Sequence, residues 1–412
     1  MKKLFAIATL ITGTLFMISC GDDDSSPAPT DAELQEAALE AAAAAVGEVV
    51  STDASAAGVD PDDSNFDWTL TKSGARVTQT IPDTVKYTAN ISEDATWSAD
   101  VVHQLDGRIT VLDGVTLTIE AGTVVTGNSS LQGVNAAVLM IARGGKLMAQ
   151  GTAQNPIIMT TTDDDGTLTA ADKGLWGGLV VLGKAKISEE TVPAQIEGVP
   201  ADDTNGLYGG NADNDNSGTY QYISIRHGGA VIDAAAGDEI NGFTLGGVGS
   251  GTTIDHIEIY ANSDDGIEFF GGNVDVDYLV VTQVGDDAID IDQSYAGTVS
   301  NYLVTVDADS DEGLEIDGRE GDLLGGTRDN FTLSGGTIQA TGGASITCDF
   351  KSKARGTVTN LNANGGTIKL SASFDPETLE EEEDAALNVV DGNLVFTTVN
   401  AAFSVYTDSF EE

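Results

Sequence analysis

Three thirteen-residue stretches decide the fold: IEIYANSDDGIEF from Ile257 to Phe269, LVVTQVGDDAIDI from Leu279 to Ile291, and VTVDADSDEGLEI from Val304 to Ile316. Each holds an acidic pair (Asp264-Asp265, Asp286-Asp287, Asp311-Glu312), and successive pairs stand 22 and 25 residues apart. Counted from the first acid, apolar residues recur seven and five positions upstream and three and five downstream in every copy. The fourth downstream position is always an acid: Glu268, Asp290, Glu315. This two-residue period makes each copy two short strands joined by an acidic turn, apolar side chains inward and acids outward. So short a unit cannot bury its apolar face alone, and stacking of successive units supplies the core.

The predicted architecture is therefore all-β, a right-handed parallel β-helix with coils about 4.8 Å apart. Tyr222–Ile225, Phe243–Leu245, Val115–Ile119 and Val138–Ile141 read as further strands. Residues 66–370 are expected to make roughly ten to twelve coils, a rod about 50 Å long. After them, residues 371–412 hold the acidic run Glu380–Asp384 and, from Asn388 to Tyr406, an expected hairpin turning at Asp391-Gly392-Asn393. That piece is assigned as a β cap closing the open end of the solenoid.

Composition agrees. Of 412 residues 49 are Gly and only 6% are aromatic, as in a chain of short strands and turns, while 41% hydrophobic content is enough for a core. The formal charge of −48 excludes nucleic acid as a partner, since phosphates need Lys and Arg to neutralise them. Two cysteines leave little room for disulfides. Cys348, between Ile346 and Phe350, is expected to be a buried small side chain.

Residues 1–19 have the form of a leader: Lys2 and Lys3, then an apolar stretch from Leu4 to Ile18, too short to span a membrane comfortably. Met17-Ile18-Ser19-Cys20 resembles a bacterial lipobox, which implies acylation of Cys20 and a lipid anchor. The following Gly21–Ser26 resembles the acidic export tag of Bacteroidota surface lipoproteins, which implies the outer face of the outer membrane. Residues 20–65 read as an acidic tether, with Asp31–Val50 an Ala-rich spacer helix whose side chains are too small to bury much surface.

Leu117–Val125, Arg143–Leu147, Gly151–Ile157, Trp176–Leu179, Ile225–Gly229 and Asp264–Gly272 together resemble right-handed parallel β-helix lipoproteins of Bacteroidota and related marine bacteria. The resemblance covers roughly residues 95–320; it implies fold and cell-surface setting, and no activity. Ser263–Gly266 and Gly285–Ile289 also resemble part of the polygalacturonase signature, which would make Asp265, Asp286 and Asp287 the catalytic acid and base. The match then lapses, for Asp311-Glu312-Gly313 stands where that family has Gly-His-Gly. A lyase would need calcium and a cationic base, for which Arg319 is the candidate.

Stacking puts Glu268, Asp290 and Glu315 in one file, Asp292 and Asp317 in a second, and Asp264, Asp265, Asp286, Asp287, Asp311 and Glu312 along the turn. Like charges one coil apart repel. Solvent can screen them, arginines such as Arg226, Arg319 or Arg328 can intercalate, or calcium, which takes clustered oxygens, can bind. Two loops are weaker calcium candidates: Asp163, Asp165 and Asp172, and Asn211–Asn216 with Asp213 and Asp215. His227, His103 and His256 read as structural. The function expected is a non-catalytic surface module that binds a glycan or an outer-membrane protein, with calcium the candidate for ordering it. The alternatives are a polysaccharide hydrolase or lyase with loops 160–175 and 187–218 as cleft walls, and an adhesin or surface-layer component.

Overall fold

The computed structural model describes residues 31–73, 83–232, 239–319, 330–373 and 383–407. Cys20, the leader and acidic tag, Arg328 and Glu380–Glu382 lie outside the described residues. Among the described residues 22 strands join in one sheet whose pairings are parallel throughout, wound into the expected right-handed β-helix. A two-residue antiparallel ribbon, Ala194–Gln195 with Leu207–Tyr208, stands apart from it. No described helix is long and apolar enough to cross a membrane.

The repeat is seen directly in the register. Ile267 lies against Ile289 and Asp290 against Glu315, as the spacing predicts. The upstream strand of the third copy departs by two residues: Leu279 lies against Tyr302, and Val281 against Val304. The surplus sits in the longer turn at Asp307–Ser310. A slip of two keeps the same side chains inward, so the core is undisturbed. Inside, Ile257, Leu279, Tyr302, Leu333 and Phe350 are essentially excluded from solvent. Size alternates where needed: Gly336 lies against Tyr302, and a Cβ there would fall 2.0 Å from the ring.

Each long strand bends at one residue in the left-handed region, and these residues stack: Tyr222 (φ 51°), His256 (56°), Tyr278 (53°), Asn301 (52°) and Asn360 (51°). That conformation costs a non-glycine residue roughly 1–2 kcal/mol. The stack offsets part of it: the Tyr222, His256 and Tyr278 rings lie face to face at 4.3 and 4.6 Å, and Asn301 Nδ2 donates to Asp277 Oδ1 at 2.7 Å.

Both ends of the chain depart from expectation. The helix Asp31–Val49 forms, yet it is packed: Ala38, Ala42 and Val46 are buried, and Val46 joins the main core. Beyond it the chain runs back along the solenoid as a strap. Asp53 N donates to Val399 O, Asn360 Nδ2 to Gly58 O and Thr337 Oγ1 to Val59 O, while Phe66 packs on Val280. The strap ends where Glu258, wholly buried, accepts hydrogen bonds from Leu70 N, Thr71 N, Thr71 Oγ1 and Ser224 Oγ. Alanine is small enough to let the helix approach the last coil closely, which a reading from side-chain size misses. The expected terminal hairpin is instead a helix, Ala385–Asp391, followed by the parallel strand Leu394–Tyr406. Gly392, at φ 78°, is the helix C-cap and not a hairpin turn.

The segment between the strands Leu179–Leu182 and Gly218–Arg226 folds over the outside of the solenoid. Ile187, Ile196, Val199 and Tyr208 from it bury a second small core against Val138, Met140, Val180, Leu182 and Phe270. Arg108–Asp203 at 3.0 Å and Lys184–Asp113 at 3.7 Å tie its edges down.

Candidate metal centre

The outward file of one solenoid face reads, coil by coil, Val180, Thr244, Glu268, Asp290, Glu315, Asp349, Lys369. The insertion covers its upper, apolar part and reaches down to the first acids. The expectation of a solvated acidic face therefore gives way: Asp265, Glu268, Asp287, Asp290 and Glu312 are all buried. The cause is the insertion together with the turns, which stack as tightly as the strands. Asp265 Oδ1 accepts from Asp287 N at 2.9 Å, and Asp287 Oδ1 from Glu312 N at 2.7 Å, so each turn acid holds the next coil.

Among the described residues, carboxylates gather closely enough to share a cation in two groups. Asp264, Asp265 and Asp286 form one, Asp265, Glu268 and Asp290 the other; within each group the oxygens lie within 4.8 Å of one another. Asp265 belongs to both. The first group is the open side, since Asp264 is half-buried and Asp286 exposed; the second is closed off. Asn241 Nδ2 donates to Glu268. Asp290 Oδ1 is buried and has no hydrogen-bond partner. Among the described residues no Lys or Arg forms an ion pair with any member of either group.

Two unit charges 4.8 Å apart repel by roughly 3–4 kcal/mol at the effective dielectric of a protein. Burial and this repulsion push the same way. Burial first, then Glu239, Glu197 and Asp286, raises Asp264 to about 8. Burial, with Asp286 and Glu312, raises Asp287 to about 8. Asp265, Glu268 and Asp290 lie well above the usual carboxylate range, chiefly through burial and then through one another. A site built so holds protons or a cation, and its donors are all oxygen, the set that suits calcium.

The lower coils differ. Lys351 pairs with Glu315, and Lys369 Nζ sits 2.7 Å from both Glu312 and Asp349. Lysines thus intercalate where arginines were expected. Arg226 is engaged by Glu258 on another face, and Arg319 by Glu383 at 2.7 Å. Asp311 meets Asp286 through its backbone N–H. In the second file Asp292 closes its strand and Asp317 follows the end of the next, Asp317 N donating to Ile291 O. The loop candidates serve turns: Asp165 accepts from Thr167 N and Oγ1, Asp172 from Thr169 N and Oγ1, and Asp213 pairs with Lys186 at 3.0 Å. Asp163 and Asp215 join neither carboxylate group.

The histidines are structural: His103 stacks on Trp97, His256 between two tyrosines, and His227 Nδ1 lies 2.7 Å from Asp172 O. Cys348 is fully buried beside Leu314 and Ile368, and burial pushes its thiol up.

Reading the sequence misses Asn241 at the centre, Glu197 and Glu239, whose charges bear on Asp264, and Asp349 and Lys369 below it. The first three lie in or beside insertions, where no period exists to place them. Asp349 and Lys369 were findable, because extending the repeat to Thr347–Phe350 and Thr367–Leu370 puts them directly under Glu315.

Residues 89–410 match the family model described as a pectate-lyase-like β-helix domain. No curated protein and no solved structure matches the chain.

Proposed function

This chain belongs to the pectate-lyase-like β-helix family, and from that premise we propose that it is a non-catalytic binding and structural module whose carboxylate centre is ordered by calcium. The observation that carries the reading is Asp290 Oδ1, a buried carboxyl oxygen without a hydrogen-bond partner inside a group of acids. Asp264, Asp265, Glu268, Asp286 and Asp290 would hold the ion, and its chemistry there is to neutralise them and fix adjacent coils. In this proposal Cys20 is acylated, the rod stands on the outer face of the outer membrane, and its partner is an extracellular glycan or an outer-membrane protein. The lipobox-like run and acidic tag support that setting. Cys20→Ala is expected to release the protein from membranes, and unchanged fractionation would refute the anchor.

The test of the centre is thermal unfolding with calcium and with chelator. Free calcium at a hundred times its Kd stabilises the folded form by about 2.7 kcal/mol if the unfolded chain does not bind it. Identical transitions would end the calcium reading.

A second reading, a polysaccharide hydrolase or lyase, is favoured by the family and by the meeting of Asp265 with Asp286. Against it, one oxygen each of Asp265 and Asp287 holds a neighbouring turn, and Arg319 is engaged by Glu383. Cleavage of pectin-like polysaccharide, abolished by Asp286→Asn, would establish it in place of the first.

A further inference from the structure

Among the described residues Arg108, Arg226, Arg319 and Arg355 each pair with a carboxylate. Arg143 differs: half-buried in a chain of 66 acids, it makes no ion pair and no hydrogen bond among the described residues. Its fork of donors, the geometry that matches a carboxylate, is unused. Parallel pairing of Val111 with Ile141 sets Arg143 one coil from Asp113, yet Asp113 pairs with Lys184 instead, at 3.7 Å. That pair crosses directly over Gly144, where a Cβ would fall 2.0 Å from Asp113 Oδ1 and 2.5 Å from Lys184 Nζ; the φ of 95° there also requires glycine.

Asp113, Arg143 and Lys184 line a cavity of about 280 Å³ together with Thr204, Asn205 and Leu207 from the insertion. Two cations stand against one carboxylate, so the cavity is locally positive although the chain carries −48. Charges more than about 8 Å away are largely screened at physiological ionic strength. A second cavity, of about 530 Å³, lies at the other end of the strand Arg108–Val111. Its charges are already engaged: Arg108 by Asp203, next to Thr204, and Asp106 by the amides of Gln104 and Asn128. Ser130, Gln132 and Asn135 bring it hydroxyl and amide groups, and Val134 an exposed apolar wall. Arg108 and Asp113 are five residues apart on extended chain, roughly 16 Å. That is the span of a short oligosaccharide and not of a free ion.

We infer that these two cavities are subsites for an anionic glycan, Arg143 and Lys184 taking the carboxylate or sulfate of one sugar and the 106–135 cavity taking an uncharged sugar further along. The inference rests on the glycan-partner reading above and names the ligand's chemistry. Hydroxyls of the uncharged ring meet amides and hydroxyls, its C–H face meets Val134, and the charged group meets the one described arginine with no acid of its own.

The experiment is isothermal titration calorimetry of the full chain with a uronate oligosaccharide, dextran sulfate, uncharged dextran and oligoglutamate, in chelator so that calcium cannot bridge acidic sugar to acidic protein. At least one charged glycan is expected to bind, with uncharged dextran and oligoglutamate at least about tenfold weaker; the tighter of the two charged glycans identifies the anion. Arg143→Gln is expected to weaken that binding at least about tenfold and to leave Tm unchanged, because Arg143 holds nothing in the free protein. Arg143→Lys should recover part of the loss. Lys186→Gln, which removes a cation that pairs with Asp213 outside both cavities, is expected to bind as the parent does. Charged glycan bound equally well by R143Q, or uncharged dextran bound as tightly, would overturn the anionic subsite and leave the glycan partner standing. Oligoglutamate bound as tightly as the sugars would overturn the subsite in favour of an acidic peptide. Absence of binding by every glycan would overturn both the subsite and the glycan partner.

Discussion

One file of side chains on one face meets two electrostatic solutions within a few coils. Below, Glu315 faces Lys351, and Glu312 and Asp349 share Lys369. Above, Glu268 and Asp290 occupy the same position in the coil, buried like Asp349 and more so than Glu315, and are met by more acids and an amide. Backbone and register are alike, so the fold does not require the difference. A β-helix that can place lysine under its carboxylates, and does so twice, leaves the upper group open to another source of positive charge. Imbalance retained beside available balance is what singles out the upper coils as the candidate centre.

The two regions should respond oppositely to loss of charge. The largest effect is expected from Lys369→Met, which strands two buried carboxylates; with the lysine itself about a third exposed, the loss should be about 2–3 kcal/mol in urea unfolding. A change below about 0.5 kcal/mol would mean the lower coils are no better balanced than the upper. Glu268→Gln should do the reverse without calcium, holding stability level or raising it by about 1 kcal/mol, and it should shrink the calcium-induced rise in Tm. Destabilisation by that variant in chelator would remove the claim that the upper charges strain the fold.

Acidity sharpens the contrast further. Asp264 and Asp287 titrate near 8 in the folded protein, against an ordinary 3.8. Between these values the folded chain holds protons that the unfolded chain has lost. Their contribution is therefore complete below about pH 4 and disappears as pH rises through about 8. In chelator, Tm should fall from pH 5 to pH 8.5, and calcium should flatten that slope. A slope of opposite sign would show the centre ionised and stable without a cation. The smallest effect is expected at the loop acids: Asp165→Asn, in an exposed turn, should alter stability by less than about 0.5 kcal/mol and leave the calcium response unchanged.

How much of this was legible follows from what repeats. Ile267, Ile289 and Leu314 announced their stack because a two-residue period and a fixed coil length constrain them together. The acids at the next position were legible too, as a file though not as a buried one. Burial depended on an aperiodic insertion, which no spacing in the sequence places. The third coil shows a finer limit, since aligning on the acidic pair put Val304 two residues out of register, and only backbone pairing identifies Tyr302 as the match. At the ends the reading failed for another reason. Alanine was judged by the area it buries, when its value at Ala38 and Ala42 is to allow close approach.

The helix Asp31–Val49 and the strand Leu394–Tyr406 belong to the same end of the rod, though nearly the whole chain lies between them. For a polypeptide emerging from its N-terminus, this gives folding a fixed last step. The helix and the start of the strap have nothing to lie on until the final coil has formed. Closing so long a loop costs little more than closing a short one, because the entropy grows only logarithmically, but the contact is among the most distant the chain makes and is formed late. Until then the newest strand is a bare parallel edge, able to accept another molecule's strand as readily as its own strap. Truncation at either terminus should therefore have one phenotype, end-to-end association through the same uncapped coil.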